Sequence, residues 1–419
     1  MIGNSWPKVK LSEVCDSIID CVNKTAPVVG YVTPYKMIRT TNVKKGVVNL
    51  AGCRFVEKST FEKWTRRAVP KVGDVILTRE APLGDVGMIT TPNEHIFLGQ
   101  RLMQYRVNPE KLNAHYLLYA LQEPDLQGQL KSAGSGSTVE HIRVGDAENL
   151  QISLPPLAHQ KSVGNLLRNY DKLIENNNRR VAILEDMAQS LYREWFVNFR
   201  YPNHQDNLDA DGNPKLIDSP LGLIPVGWKI KCLKNIGFIN TGKTPSKDKE
   251  ENYSSNDVPF IKTPDMHGGM FVIKTREMLS TLGADSQKSK YIPSWAICVS
   301  CIGTAGIVAL SSQKSQTNQQ INTLVPEVKA HTEFMYFTLK SLKKTIENYG
   351  ATGATMTNLS KGKFESLEIV FPEDSLLDEF HQLTNPMFKQ IQILARKNEN
   401  LKQQRDMLLP KLISGQIEL

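Results

Sequence analysis

VGNLLRNYDKLIENNNRRVAILEDMAQSLYREW (163–195) is the stretch on which the fold turns. Alternate steps of four and three from Val163 reach Leu167, Tyr170, Ile174, Asn177, Val181, Leu184, Ala188, Leu191 and Trp195. Only Asn177 is polar, and a sustained 4-3 alternation is the seam of a coiled coil. A weaker copy of the pattern comes late in the chain: Phe380, Thr384, Met387, Ile391, Leu394, Asn398, Leu401, Arg405, Leu408 and Leu412. Pro410 should end or kink that helix before its last seam residue, because proline lacks the amide the helix needs. Each helix of roughly 40 residues would span about 60 Å. Burying one seam side chain is worth ~1.5–3 kcal/mol, so the helices are expected to pair rather than leave the stripe in water. Asn177 and Asn398 fall near the middle of their helices and are expected to meet and set the register, the alternative being a solvent-facing pair. Leu166, Leu173, Ile183 and Met187 form a second apolar set beside the first seam. Further helices from partner proteins could cover it, or the globules of this chain.

Outward from the helices, the chain repeats itself. Trp6 and Leu11 match Trp228 and Leu233; TPYKMIRTTNVKKG (33–46) resembles DVPFIKTPDMHGG (257–269). GDVILTREAPLGDVGMI (73–89) resembles SWAICVSCIGTAGIVAL (294–310), and GQRLMQYRV (99–107) resembles NQQINTLVP (318–326). Gly136 and Gly353 lie 217 residues apart, as do Pro155 and Pro372. Two copies at so long a period mean a domain duplication, not a solenoid. In each half, short β-branched runs punctuated by Gly, Pro and Asn predict an irregular α+β globule, followed by a long helix. The expected division is a first globule over 1–156, its helix over 157–200, a loop and second globule over 201–373, and the second helix with a tail over 374–419. A pseudo-two-fold relation between the halves would run the helices antiparallel and hold the globules apart.

Composition is permissive. The 419 residues carry 51 basic and 43 acidic side chains, a net charge of +8 that allows a nucleic-acid partner without demanding one. No run approaches the ~18 apolar residues of a membrane helix, and no signal-peptide core opens the chain, so the cytoplasm is expected and a membrane is not. Six cysteines do not suggest a disulfide framework. Cys298 and Cys301 form a lone C-x-x-C without the second pair that a zinc site needs, so no metal is expected. No N-P-P-F or D-P-P-Y tetrapeptide is present, and the histidines form no H-x-x-x-H pattern.

Four segments carry a family resemblance. AENLQISLPPLAHQ (147–160), EDMAQSLYREWFVNFRYP (185–202), IPVGWKIKCL (224–233) and LLPKLISGQIEL (408–419) are similar to the specificity subunits of type I restriction–modification systems. The resemblance spans the whole chain. It implies two similar α+β target-recognition domains separated by a long antiparallel two-helix coiled coil. It also implies a non-catalytic reader of a bipartite, asymmetric site on double-stranded DNA. Two methylation subunits would dock on the helices, and restriction subunits through them. S-adenosylmethionine, ATP and Mg would belong to those partners, with no cofactor in this chain; the assembly would be an adenine methyltransferase and ATP-dependent endonuclease. FPEDSLLDEF (371–380) departs from the first copy's LPPLAHQ by its acidity, so docking at the two ends could be unequal.

Candidate DNA contacts follow from residue chemistry at matched places in the repeat. Arg and Asn suit guanine and adenine edges, while Lys, hydroxyls and Gly-rich backbone suit phosphate. The first copy offers Arg39, Thr40, Asn42, Lys44 and Lys45, a loop with Ser135, Gly136 and Thr138, and Arg143. The second offers Lys243, Lys262, Thr263 and His267, a loop with Thr352, Gly353 and Thr355, and Lys361 and Lys363. For any one of these, solvated surface is the alternative. GFINTGKT (237–244) fits the phosphate-binding P-loop pattern, but Pro245 and a polar run follow where a helix should open. An NTPase using Lys243, and a coiled-coil scaffold that binds only proteins, are the competing functions.

Overall fold

The computed structural model describes residues 6–134, 140–212, 214–254, 256–350 and 358–419. It divides into two compact units: residues 1–174 with 401–419, and residues 175–400. Each unit combines one globule with part of both long helices, Leu157–Tyr192 and Asp374–Ile413.

In the first unit the main sheet has six strands in the order Cys15–Asp20, Leu102–Val107, Val75–Arg79, Leu83–Met88, Gly46–Val48, Val43–Lys44. All neighbours are antiparallel except Gly46–Val48, which runs parallel to Leu83–Met88. A smaller sheet pairs Tyr35–Ile38 in parallel with His95–Leu98 and antiparallel with Arg54–Phe55. Lys8–Lys10 and Gln151–Ser153 close the globule as an antiparallel pair. The apolar run at the sheet centre serves both faces. Val75 and Leu77 join a core with Tyr105 and Tyr116, while Ile76 joins another with Ile38 and Leu102, as a two-residue period requires.

The second unit has a similar layout, with five strands in its main sheet instead of six and four in its smaller sheet instead of three. Its main sheet runs Gly237–Thr241, Ile321–Pro326, Ile297–Ser300, Val308–Ser311, Phe271–Val272, with only the last pair parallel, as Gly46–Val48 is to Leu83–Met88 in the first unit. Val258–Ile261 pairs in parallel with Gln316–Thr317 and antiparallel with Glu277–Leu279, and Lys229–Cys232 pairs with Glu368–Phe371. Ile297 and Val299 enter one core and Cys298 the other, while Cys301 joins the core of Val299. The two thiols therefore sit in different cores and cannot share a metal. Burial pushes the Cys298 thiol up to about 12 and Cys301 to about 11.

The helices are fixed to the globules by buried polar side chains as well as by apolar contact. In the first unit Gln160 accepts from the Asn113 amide (2.8 Å) and donates to the Lys111 carbonyl (3.1 Å). A Cβ on Gly164 would stand 2.9 Å from Asn113 Oδ1, so glycine is what allows the helix this close. Arg405 ion-pairs with Asp171, which also accepts from the Tyr119 hydroxyl. In the second unit the buried Glu333 accepts from His381 and Asn385, each at 2.8 Å. Gln392 and Arg396 both donate to the Ser312 carbonyl.

Two helix ends differ from expectation. Pro410 does not end the second long helix, which runs on to Ile413. Leu409, Leu412 and Ile413 are buried in the first unit's core, and that packing offsets the hydrogen bond the proline removes. The first long helix passes into a π turn, Arg193–Val197, where the neighbouring Trp195 and Phe196 are both buried. Among the described residues no helix is long and apolar enough to cross a membrane.

Candidate nucleic-acid interface

At the corner where the small sheet meets the main sheet, the two copies make the same turn. Ile38 and Ile261 end their strands, and the next residues, Arg39 and Lys262, lead into short 3-10 turns. Asn42 Oδ1 accepts from the Arg39 amide at 2.9 Å; Asp265 Oδ2 accepts from the Lys262 amide at 2.9 Å. Asn42 also donates to the carbonyls of Asn49 (3.0 Å) and Ala51 (3.3 Å), and it is only 5% exposed. Its amide is consumed in holding its own loop, so Asn42 is withdrawn as a base contact.

Other candidates fare differently. Lys44 and Lys45 are exposed on the turn between Val43–Lys44 and Gly46–Val48, with Lys45 at a φ of 50°. Arg39 and Thr40 are half-buried, and Arg39 Nε and Thr263 Oγ1 are buried without a partner. Lys262 is tied to Glu277, and its hydrogen bond holds that carboxyl below the usual carboxylate range. His267, Arg143 and Lys243 are exposed, as are Lys361, 3.3 Å from Glu365, and Lys363. Ser135, Gly136, Thr138, Thr352, Gly353 and Thr355 lie outside the described residues.

The P-loop pattern does not fold as one. Gly237–Thr241 is a strand, but residues 242–249 form a loop, and a single 3-10 turn, Glu250–Asn252, follows. Among the described residues no α-helix opens directly after Lys243, where a P-loop would place its phosphate-binding N-terminus. Sequence reading passed over Lys24, Thr25, Gln100 and Gln319 and weighed Thr244 only within the P-loop pattern; Thr25 bonds Gln100, and Thr244 bonds Gln319. Their signal was the echo of NKTAP (23–27) in GKTP (242–245).

The seam residues meet within each unit. In the first, Leu167 is buried with Leu409 and Leu412, Ile174 is buried, Leu401 is half-buried, and the Tyr170 hydroxyl lies 3.5 Å from Gln404. In the second, Val181 and Leu184 pack in the core that holds Ile391, and Leu394 is buried. Asn177 Nδ2 donates to Asn398 Oδ1 at 2.9 Å, and Asn398 Nδ2 donates to Asn178 Oδ1 at 2.8 Å. Farther along the same pair of helices, Tyr192 and Trp195 stack near Phe380, so the two run antiparallel there.

Comparison with known proteins agrees with this architecture. Residues 4–186 and 225–403 each match the family described as Type I restriction modification DNA specificity domain. The type I restriction enzyme HindI specificity subunit of Haemophilus influenzae is 30% identical, over 79% of this chain and 80% of its own. The MjaIX specificity subunit of Methanocaldococcus jannaschii is 25% identical, over 88% of this chain and 83% of its own. The crystal structure of a type I restriction–modification S subunit from M. genitalium shares the fold, with a TM-score of 0.63 at 16% identity over 98% of this chain and 97% of that one. The chain belongs to the type I restriction–modification specificity-subunit family, whose part is the choice of DNA sequence and not catalysis.

Proposed function

We propose that this chain reads an asymmetric, bipartite site on double-stranded DNA, one half per globule, for a complex with methylation and restriction subunits. The observation that carries the reading is a duplicated scaffold with different side chains at matched corners: Arg39 and Thr40 in one copy, Lys262 and Thr263 in the other. A shared backbone with unlike readers suits unlike half-sites. Arg39, Thr40, Lys44, Lys45 and Arg143 would serve one half; Lys243, His267, Lys361 and Lys363 the other.

The long helices would form an antiparallel coiled coil that relates the halves by a pseudo-two-fold axis. Leu173 and Met407 in the first unit, and Ile183, Met187, Leu383 and Ile393 in the second, are large apolar side chains 46–65% exposed on these helices. Two methylation subunits docking there would cover them, with restriction subunits held through the methylation subunits. S-adenosylmethionine, ATP and Mg would be bound by those partners, in the cytoplasm.

Mapping methylated adenines in cells with and without this chain gives the site. Replacing the 6–153 globule with that of a relative of different specificity should then change one half of the motif and leave the other. A motif that stays whole, or changes in both halves, would refute the division of labour.

A further inference from the structure

One side-chain arrangement occurs identically in both copies. Thr25 Oγ1 donates to Gln100 Oε1 at 3.3 Å, and Thr244 Oγ1 donates to Gln319 Oε1 at 2.5 Å; both pairs are 75 residues apart. Each threonine follows a lysine, Lys24 or Lys243. Both lysines and both glutamines are exposed, as is Thr25, while Thr244 is half-buried. Among the described residues neither lysine has an acidic partner.

The strands flanking each trio are held by matching bonds, although the loop to the lysine is two residues shorter in the second copy. Cys21 N donates to the Leu102 carbonyl (3.2 Å) and Gly242 N to the Ile321 carbonyl (3.1 Å). Gly99 N donates to the Ile38 carbonyl (2.8 Å) and Asn318 N to the Ile261 carbonyl (3.1 Å). Gln100 and Arg39 therefore each lie one residue beyond a shared bond, as do Gln319 and Lys262. In both copies the glutamine borders a corner residue, Arg39 or Lys262, and Lys243, counted above with its half-site, would serve it through phosphate rather than a base. A Cβ on Gly242 would stand 2.2 Å from the Asn318 carbonyl oxygen, so the second copy's lysine loop is pressed onto the connection that carries Gln319.

The chemistry points outward. With Oε1 occupied by the threonine hydroxyl, each exposed glutamine keeps its amide N–H groups for another acceptor, and an exposed lysine precedes each threonine. Such a set of donors recognises an anionic oxygen. The two copies differ at the adjacent positions, Arg39 against Lys262 and Asn42 against Asp265, yet keep Lys, Thr and Gln unchanged. An element common to two readers of different sequences matches the part of the duplex that does not vary, its phosphate backbone. We propose that Lys24–Thr25–Gln100 and Lys243–Thr244–Gln319 are paired phosphate clamps that set each globule on the DNA without reading bases. This rests on the reading that the chain binds duplex DNA.

The test uses the chain assembled with its methylation subunits and two fluorescein-labelled duplexes, one carrying the motif mapped from cells and one of scrambled sequence. Anisotropy is followed between about 50 and 200 mM KCl. Joint Lys24→Ala and Lys243→Ala substitution should weaken binding to both duplexes by about tenfold and flatten the plot of log affinity against log salt by about 2, since each phosphate contact contributes ~0.9. Joint Gln100→Ala and Gln319→Ala should weaken both duplexes alike without changing the methylated motif in cells. A changed motif would make the trio a base reader, and unchanged affinity and salt slope would remove it from the interface; either overturns the proposal. Failure of the unaltered complex to bind either duplex would instead defeat the underlying reading.

Discussion

Replacing Asn177 and Asn398 together by leucine should stabilise the second unit while loosening its register. Asn398 is only 4% exposed, while Asn177 is half-buried. The native arrangement includes the hydrogen bonds Asn177 to Asn398 and Asn398 to Asn178. Each is worth ~1 kcal/mol net, because water would otherwise satisfy the same groups. Two leucines on a seam would bury apolar surface worth about 1.5–3 kcal/mol for the more enclosed one and less for the other. The balance is a gain of about 1–2 kcal/mol, or a rise of roughly 2–8 °C in the melting temperature of a unit this size. Asn398→Ala alone should instead cost about 1–3 kcal/mol, since it deletes both bonds and leaves a small void. Differential scanning calorimetry of the three proteins, with mass measured by light scattering, decides the matter. If the double leucine protein melts lower than the parent at unchanged mass, the asparagines contribute stability rather than register, and the reasoning is wrong.

Other expectations are simpler. Phe380→Ala should cost about 3–5 kcal/mol, because this ring is fully buried against Tyr192, Trp195 and Phe196; urea melts followed by tryptophan fluorescence report it. Burial holds His331 below the ordinary histidine range, so its neutral form favours the fold. That contribution is fully present above about pH 6.5 and declines as pH falls toward the folded-state value, so His331→Gln should flatten the acid side of a melting-temperature profile. Arg405→Met should strand the half-buried Asp171 carboxylate and lower the first unit's melting temperature, with Asp171→Asn restoring part of the loss in a double-mutant cycle. Lys243→Ala should leave nucleotide hydrolysis at its background level, and a measurable loss would revive the NTPase reading.

What was legible in the sequence were features with a period. The 4-3 alternation from Val163 and the apolar pairing of GDVILTRE with WAICVSC are local signals that burial enforces, and helices and strands follow them. Pro410 misled because intrinsic helix-breaking is a local cost, whereas Leu409, Leu412 and Ile413 are held by residues far away in sequence. Asn42 misled in the opposite way. Its residue type suits an adenine edge, but a 3-10 turn three residues long uses the amide first. The Thr–Gln bonds were invisible because each joins positions 75 residues apart, and no periodicity links the loop after one strand to the loop before the strand it pairs with. Cys298 and Cys301 looked like a motif only in one dimension; a strand sends side chains three apart to opposite faces.

The first globule is completed by the last residues of the second long helix, since Leu409, Leu412 and Ile413 belong to the same core as Leu11, Tyr105 and Tyr116. A ribosome delivers those partners only after the rest of that core and the whole second globule have been made. Until residues 401–419 emerge, the earliest-made part of the protein carries an uncovered oily face, and it must wait through the synthesis of the whole second half before it can close. Nonsense or frameshift damage late in the reading frame would thus be felt first by the oldest portion of the polypeptide.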